Sequence, residues 1–341
     1  MNNSQTRAVF ISGCDSGFGL SLVKKLSALK KFLVFAGVFT ESGKSLFAEY
    51  ENVVAIPLDV TSDESVARAL ELIQAKLAER NAVLWGLVNN AGILTRPAPT
   101  EWQGVENYDK MMQVNLFGVV RLTNACLPQI RRSKGRIVIV ASIAGRVGLA
   151  SNAAYCASKY AVSGYAEVLR RDLIPWGVAV SVVEPGIFGQ TGLYGDFQKG
   201  LDATWKTLPE NLKQDYGEKH YKFQRMMLGS AVTHFSNSSP EQVPEAMLEA
   251  LTASKPQRRY RVGKDSKTIF RLLPILPDHV TDAILTRPVG KKVVNPAGVH
   301  QAVAGNEIYA ADTTSSLVLT GLAGLSALGT FQLGKFFISR L

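Results

Sequence analysis

The feature that most restricts how this chain can fold lies near its start. The apolar run Ala8-Val-Phe-Ile is followed by Ser12-Gly-Cys-Asp-Ser-Gly-Phe-Gly19 and then by a helical pattern from about Gly17 to Lys30. Buried strand, glycine-rich turn and helix, in that order, predict the first β–α unit of an open parallel sheet. The turn also has a chemical use. Glycines let the backbone approach a pyrophosphate closely, and the free N–H groups of a helix N-terminus face the anion. The spacing Gly-x-x-x-Gly-x-Gly leaves two readings open: a phosphate cradle built from Gly13, Asp15, Ser16, Gly17, Phe18 and Gly19, or a plain strand-to-helix turn.

Further strands are predicted at Phe32 to Val38, Val53 to Leu58, Leu84 to Asn89, Arg136 to Ala141 and Val178 to Val183, with helical segments between them. Such alternation predicts an α/β fold, a doubly wound parallel sheet (Rossmann fold) with ligands at the carboxyl ends of its strands. The 341 residues, 46% of them hydrophobic and 19% charged, suit one large domain with an extension better than two equal domains. At the end of the second strand such a fold distinguishes NAD from NADP by a carboxylate or a cation, and Val38-Phe-Thr40 offers neither. With no Arg or Lys there, and Ser16 in the turn, NAD is favoured and NADP stays open; Glu41 is a late candidate carboxylate. Asp59, followed by Val60, is placed to reach an adenine, or else it ends the third strand. Thr61-Ser-Asp-Glu64 reads as a capping box for the next helix. The fourth strand closes on Asn89-Asn-Ala-Gly92, of which Asn89, Ala91 and Gly92 are candidate cofactor contacts. A long helix from about Asn107 to Arg131 carries Asn115 among apolar neighbours, as a satisfied core amide or a positioned polar link.

Ser142-Ile-Ala-Gly-Arg-Val-Gly-Leu-Ala-Ser-Asn-Ala-Ala-Tyr-Cys-Ala-Ser-Lys159 supplies a hydroxyl, a phenol and an ammonium group. If Asn152 caps a helix running past Lys159, Tyr155 and Lys159 lie one turn apart on one face. A free phenol has a pKa near ~10, and bringing it into the neutral range takes roughly 4 kcal/mol of preferential stabilisation. One lysine is insufficient for that, and an oxidised nicotinamide would supply the second positive charge.

Taken together, these motifs resemble the classical short-chain dehydrogenase/reductase family in order and spacing. The resemblance rests on Ser12 to Gly19, Asn89 to Gly92, Asn115, Ser142, Tyr155-Cys-Ala-Ser-Lys159 and Pro185-Gly186. It implies a nicotinamide cofactor, with Tyr155 as general acid/base and Ser142 polarising the substrate oxygen. Lys159 would lower the phenol pKa and hold the nicotinamide ribose, and Asn115 would anchor a relay water. It implies that Pro185, Gly186 and Thr191 touch the cofactor, and that dimers or tetramers form through two long helices. More narrowly, Leu84-Trp-Gly-Leu-Val-Asn-Asn-Ala-Gly92 and Trp205-Lys-Thr-Leu-Pro209 are similar to the retinol, 17β-hydroxysteroid and 3-hydroxybutyrate dehydrogenase branch, over roughly residues 6 to 292. Two features depart from that branch: Met1 to Arg7 lacks an apolar anchor or signal, and Thr191 falls one residue late.

Around this catalytic region, about 6–292, lie three further features. Residues 191–239 carry Tyr194, Phe197, Trp205, Tyr216, Tyr221, Phe223, Met226 and Met227, read as a substrate lid or as the core of a helical subdomain. A lid of this kind suits an apolar alcohol or ketone such as a steroid or retinoid, while its lysines leave a hydroxy acid open. The net charge of +10 is concentrated between Lys255 and Arg271, so 255–276 reads as a membrane-facing patch or a solvated basic face. No nucleic-acid recognition module accompanies the charge. Residues 293–312 read as a linker, and 313–334, within the tail 313–341, as an uncharged stretch long enough for a bilayer anchor or a packing helix. Three scattered cysteines and four histidines indicate no disulfide framework and no metal site. They point to intracellular, cytosol-facing chemistry, with the endoplasmic reticulum and the mitochondrion both open. The leading expectation is an NAD(P)-dependent alcohol dehydrogenase. The alternatives are a 3-hydroxybutyrate-type enzyme, an NADPH-dependent carbonyl reductase and a membrane-anchored nucleotide-binding scaffold.

Overall fold

The computed structural model describes residues 5–95, 97–189, 197–235, 238–286 and 296–298. Seven strands, β1 (Thr6–Ile11), β2 (Phe32–Val38), β3 (Val53–Pro57), β4 (Ala82–Asn89), β5 (Arg136–Val140), β6 (Ala179–Pro185) and β7 (Arg259–Val262), form one sheet in the order β3-β2-β1-β4-β5-β6-β7. Every pairing is parallel. The order reverses between β1 and β4, which opens a crevice at their carboxyl ends, where open sheets of this type hold ligands. All seven residues of β2 are buried, as expected for a strand covered on both faces.

The first helices are α1 (Gly17–Ala28), α2 (Glu41–Ser45), α3 (Asp63–Glu79), α4 (Val105–Met112), α5 (Gly118–Arg132) and α6 (Ala153–Leu173). They are followed by α7 (Phe197–Thr207), α8 (Glu210–Phe235), α9 (Gln242–Thr252), α10 (Lys264–Lys267), α11 (Ile269–Leu272) and α12 (Asp278–Thr286). Apolar residues of α3, α5 and α6 pack on one face of the sheet. Those of α1 and α9 pack on the other. This gives the doubly wound layers expected from the sequence.

Several local expectations are corrected. The helix predicted from Asn107 to Arg131 is three pieces, α4, a π-helical turn at Gln113–Phe117, and α5. The cap of α3 is Ser62, whose hydroxyl accepts the Ser65 N–H at 3.1 Å; Thr61 instead donates its N–H and hydroxyl to Asp59. Asn152 stands at the start of α6 but its side chain does not cap; its amide donates to the Ala150 carbonyl. Part of the basic run is β7, whose Arg259 and Arg261 face the buried Glu184. Arg259 also pairs with Glu167 at 2.9 Å.

Two compact units divide the chain, Met1–Leu208 with Gln224–Arg271, and Pro209–Phe223 with Leu272–Leu341. The first contains the sheet and α7, whose Trp205 ring lies 5.2 Å from that of Trp102 and whose Asp202 pairs with Arg225 at 2.8 Å. In the second, the Tyr216, His220 and Phe223 rings meet in sequence, each tilted against the next, and α12 follows. α8 is interrupted at Gly217, whose φ of 72° is not helical. Among the described residues no helix is long and apolar enough to cross a membrane. Thr191, the tail 313–341 and all of the linker except 296–298 lie outside the described residues.

Candidate active site

The turn after β1 is closed by the strand beside it. Gly13 has φ +71°, and a Cβ on it would stand 2.8 Å from the Ala91 Cα. A Cβ on Gly19 would overlap the Gly13 carbonyl oxygen. Both positions therefore require glycine for space, and Gly17, with φ +59° and open surroundings, requires it for conformation. Asn90 joins the two strand ends: its amide donates to the Ser12 and Gly13 carbonyls, each at 2.9 Å. The Ser12 hydroxyl in turn accepts the Asn90 and Ala91 N–H groups. Gly13, Asp15, Ser16, Gly17 and Phe18 border a cleft of about 240 Å³, opposite Ala91 and Gly92.

The same cleft reaches Ser142, Tyr155 and Lys159, with Pro185 and Gly186 on its far wall. Ser142 leaves the end of β5 and caps a short turn, its hydroxyl accepting the Ala144 N–H at 3.1 Å. Gly145 in that turn lies directly on α6, since a Cβ there would be 2.5 Å from the Lys159 carbonyl oxygen. The turn and α6 are thus held together, and the Ser142 hydroxyl and the Tyr155 phenol border the same cleft, the hydroxyl close enough to pull the phenol pKa down. Lys159 lies one helical turn beyond Tyr155, its Nζ 5.7 Å from the phenol ring centre and donating to the Val140 carbonyl at 3.1 Å.

Electrostatically, this chain's own groups hold both side chains towards neutrality. Burial pushes the Tyr155 phenol up to about 12 despite the pull of Ser142, and burial brings Lys159 down to about 8. The extra positive charge called for by the sequence argument is therefore still required.

Asn115 sits in the π-helical turn and locks the loop after β4. Its Oδ1 accepts the Ile93 N–H at 2.8 Å, and its Nδ2 donates to the Ile93 carbonyl and the Ser158 hydroxyl. A Cβ on Gly92 would stand 3.4 Å from Asn115 Oδ1 and 3.5 Å from Lys159 Nζ, so these three groups surround one point.

Not every expected contact is brought to the cleft. Asn89 turns into the core and donates to the Thr123 hydroxyl, and it is its neighbour Asn90 that borders the site. The Asp59 carboxylate is committed to Thr61, and Val60 packs beside Gly118, so neither borders the cleft. Sequence reasoning missed Phe188, which borders the cleft and meets the Phe18 ring edge-on at 5.8 Å. It also missed the partners of Asp15. That carboxylate accepts the Phe39 and Thr40 N–H groups and the Thr40 hydroxyl, at 2.9, 2.8 and 2.7 Å. Burial pushes its pKa up, but these hydrogen bonds outweigh burial and hold it below the ordinary carboxylate value.

The glycine cradle fits the diphosphate of a dinucleotide, and the hydroxyl, phenol and ammonium group fit acid/base chemistry at its far end. The chain matches the short chain dehydrogenase family model over residues 7–201. It belongs to the short-chain dehydrogenase/reductase family and is an oxidoreductase that uses a nicotinamide cofactor to interconvert an alcohol and a carbonyl. It is 38% identical to 17-beta-hydroxysteroid dehydrogenase type 6 of Homo sapiens, over 84% of this chain and 90% of the relative. It is 41% identical to the mitochondrial D-beta-hydroxybutyrate dehydrogenase of Bos taurus, over 75% of this chain and 76% of the relative. Among solved structures, a short chain dehydrogenase from Burkholderia cenocepacia in complex with NADP is similar with a TM-score of 0.60 and 27% identity, covering 84% of this chain and all of that one.

Proposed function

We propose that this protein interconverts an apolar alcohol of steroid or retinoid type and its carbonyl, with NAD as the preferred cofactor and Tyr155 as the acid/base. The observation that carries this reading is that Ser142, Tyr155 and Lys159 border one cleft with the glycine turn. When bound in its oxidised form, nicotinamide supplies a hydride acceptor and a positive charge. Tyr155 Oη takes the proton of the substrate hydroxyl while Ser142 Oγ holds the same oxygen. Lys159, protonated below about 8, adds its charge beside the phenol and holds a ribose hydroxyl. Asn115 has its amide committed to Ile93 and Ser158, so a relay water would have to be held by the backbone of its π-helical turn.

The preference for NAD is supported by Asp15, which places a carboxylate at the tip of β2 where the strand itself has none. It would repel a ribose phosphate and accept from a ribose hydroxyl. The apolar substrate is supported by Ile93, Leu94, Tyr108 and Leu149, packed around Ala144, Tyr155 and Cys156. Among the described residues bordering the cleft, Lys159 is the one cation, which disfavours a carboxylate substrate. The identity to a hydroxybutyrate dehydrogenase favours the second reading, a short hydroxy acid.

We extend the proposal to assembly and location. Exposed Phe117, at the entry to α5, and Tyr160 and Val168 of α6 support a homodimer or homotetramer through α5 and α6. Exposed Lys255, Arg258, Lys264, Lys267 and Arg271 beside Ile269 support contact with an anionic membrane. Three buried free cysteines suit a reducing, cytosol-facing environment, and the mitochondrial relative keeps that organelle beside the endoplasmic reticulum.

The test is Tyr155→Phe, assayed with steroid, retinoid and short hydroxy-acid panels and with NADH binding followed by fluorescence. Turnover is expected to fall by about 10³-fold or more with binding retained. Substantial residual turnover overturns the role of Tyr155, and turnover of hydroxy acids alone selects the second reading.

A further inference from the structure

The turn after β6 runs Pro185-Gly186-Ile187-Phe188, and three of its four residues border the cleft. Its backbone is held from one side by the chain following β7. Gly186 N–H donates to the Val262 carbonyl at 2.8 Å, and the Ser266 hydroxyl donates to the Glu184 carbonyl at 3.0 Å. The Ile187 N–H donates to Asp265 Oδ2 at 2.8 Å.

Asp265 is only 8% exposed. Its other carboxylate oxygen lies in a slot between two glycines: a Cβ on Gly186 would overlap it, and a Cβ on Gly263 would stand 2.6 Å away. Gly263 also has φ +103°, so the slot depends on glycine for conformation as well as for space. The neighbouring Lys264 and Lys267 are exposed; burial pushes the Asp265 pKa up, and the N–H groups of Ile187, Ser266 and Asp265 itself pull the other way. A buried charge served by backbone donors alone is unfavourable, yet it fixes those donors tightly because hydrogen bonds to an ionised acceptor are short and strong.

Location gives this arrangement its meaning. β6 lies beside β5, and the Ala141 N–H, just before Ser142, donates to the Val183 carbonyl at 2.8 Å. The turn after β6 therefore flanks the Ser142–Tyr155 end of the cleft. Phe188, one residue past the Asp265 contact, reaches back to the Phe18 ring.

We infer that Asp265 is a positioning residue for the oxidoreductase reaction: through the Ile187 N–H it sets the path of the turn from Gly186 to Phe188 against the reactive end of the nicotinamide cofactor. This rests on the reading of the cleft as the nicotinamide site. Asp265 touches neither substrate nor cofactor, and acts through the backbone it holds.

The experiment compares the full-length protein with Asp265→Ala and Asp265→Asn. It measures NADH affinity by fluorescence, KM for cofactor and substrate, kcat, and the melting temperature. Asp265→Ala is expected to weaken NADH binding about tenfold, the loss of one charge-assisted hydrogen bond, and to leave substrate KM within about twofold. Asp265→Asn keeps an acceptor for Ile187 and is expected to recover most of that affinity. A purely structural role would lower the melting temperature without this split between the two Michaelis constants. Folded variants with wild-type NADH affinity overturn the inference alone, and wild-type protein that binds no NADH overturns the cofactor reading together with it. Should Asp265→Ala fail to fold, Gly186→Ala presses on the same carboxylate and carries the test, with wild-type NADH affinity again the overturning result.

Discussion

Lys159 Nζ donates to the Val140 carbonyl at 3.1 Å from a position only 5% exposed. One carbonyl replaces little of the hydration of an ammonium group, and burial brings its pKa down to about 8. An unfolded lysine titrates near ~10.4. Between the two values the unfolded chain holds a proton that the folded chain has released, so stability rises with pH. This contribution is present above the unfolded value and is lost as pH falls through about 8. Tyr155 acts with the opposite sign: its contribution is full below ~10 and lost as pH rises through about 12. Lys159→Met is expected to remove on the order of 3 kcal/mol of pH-dependent stability across its window. Urea unfolding at a series of pH values checks this, and equal slopes for variant and wild type would refute it.

The Asp15 carboxylate at the tip of β2 predicts the effect of its removal on cofactor choice. Asp15→Asn is expected to shift the ratio of NADH to NADPH affinity towards NADPH by about tenfold. Adding Phe39→Arg, at an exposed neighbouring position, is expected to shift it further. Fluorescence titration with both reduced cofactors reads the ratio directly; no change would remove Asp15 from cofactor selection.

Gly145→Ala forces a Cβ against the Lys159 carbonyl and, at 2.6 Å, against the Ser163 hydroxyl. The turn carrying Ser142 must then move off α6. We expect a stability loss of about 1–3 kcal/mol and a larger fall in kcat than in NADH affinity, because the glycine cradle is untouched. Denaturant unfolding with steady-state kinetics separates the two effects.

Arg259 neutralises Glu184, which is buried at the end of β6, and binds Glu167 of α6 as well. Arg259→Ala leaves Glu184 with a long contact to Arg261, at 3.8 Å. The expected loss is about 3–5 kcal/mol, the usual consequence of stranding a buried charge. Glu184→Gln combined with Arg259→Ala should lose less than Arg259→Ala alone, and thermal unfolding of both variants decides it.

The strands were legible because burial on both faces writes itself as uninterrupted apolar runs; β2 falls on Phe32–Val38 as predicted. The reactive pair was legible because spacing on one helix is a local property. β7 was hidden, since Arg-Tyr-Arg-Val inside a basic run reads as surface until Glu184, 75 residues away from Arg259, is seen to neutralise it. The π-helical turn has no compositional mark in Gln113-Val-Asn-Leu-Phe, because the widening of the helix is set by the tie between Asn115 and Ile93. Asn89 and Asn90 were indistinguishable in type, and only their opposite directions at the end of β4 separate a core amide from one that joins the glycine turn. Thr61 lost the cap of α3 because Asp59 captured its hydroxyl.

The union of Gly13, Gly19 and Asn90 has a kinetic consequence. The anion-receiving turn is braced by the amide of Asn90 and contains glycines that leave no slack, so its shape precedes its ligand. A receptor assembled in advance loses little conformational freedom on capture. Exchange of spent for fresh coenzyme is then expected to need no rearrangement of this turn.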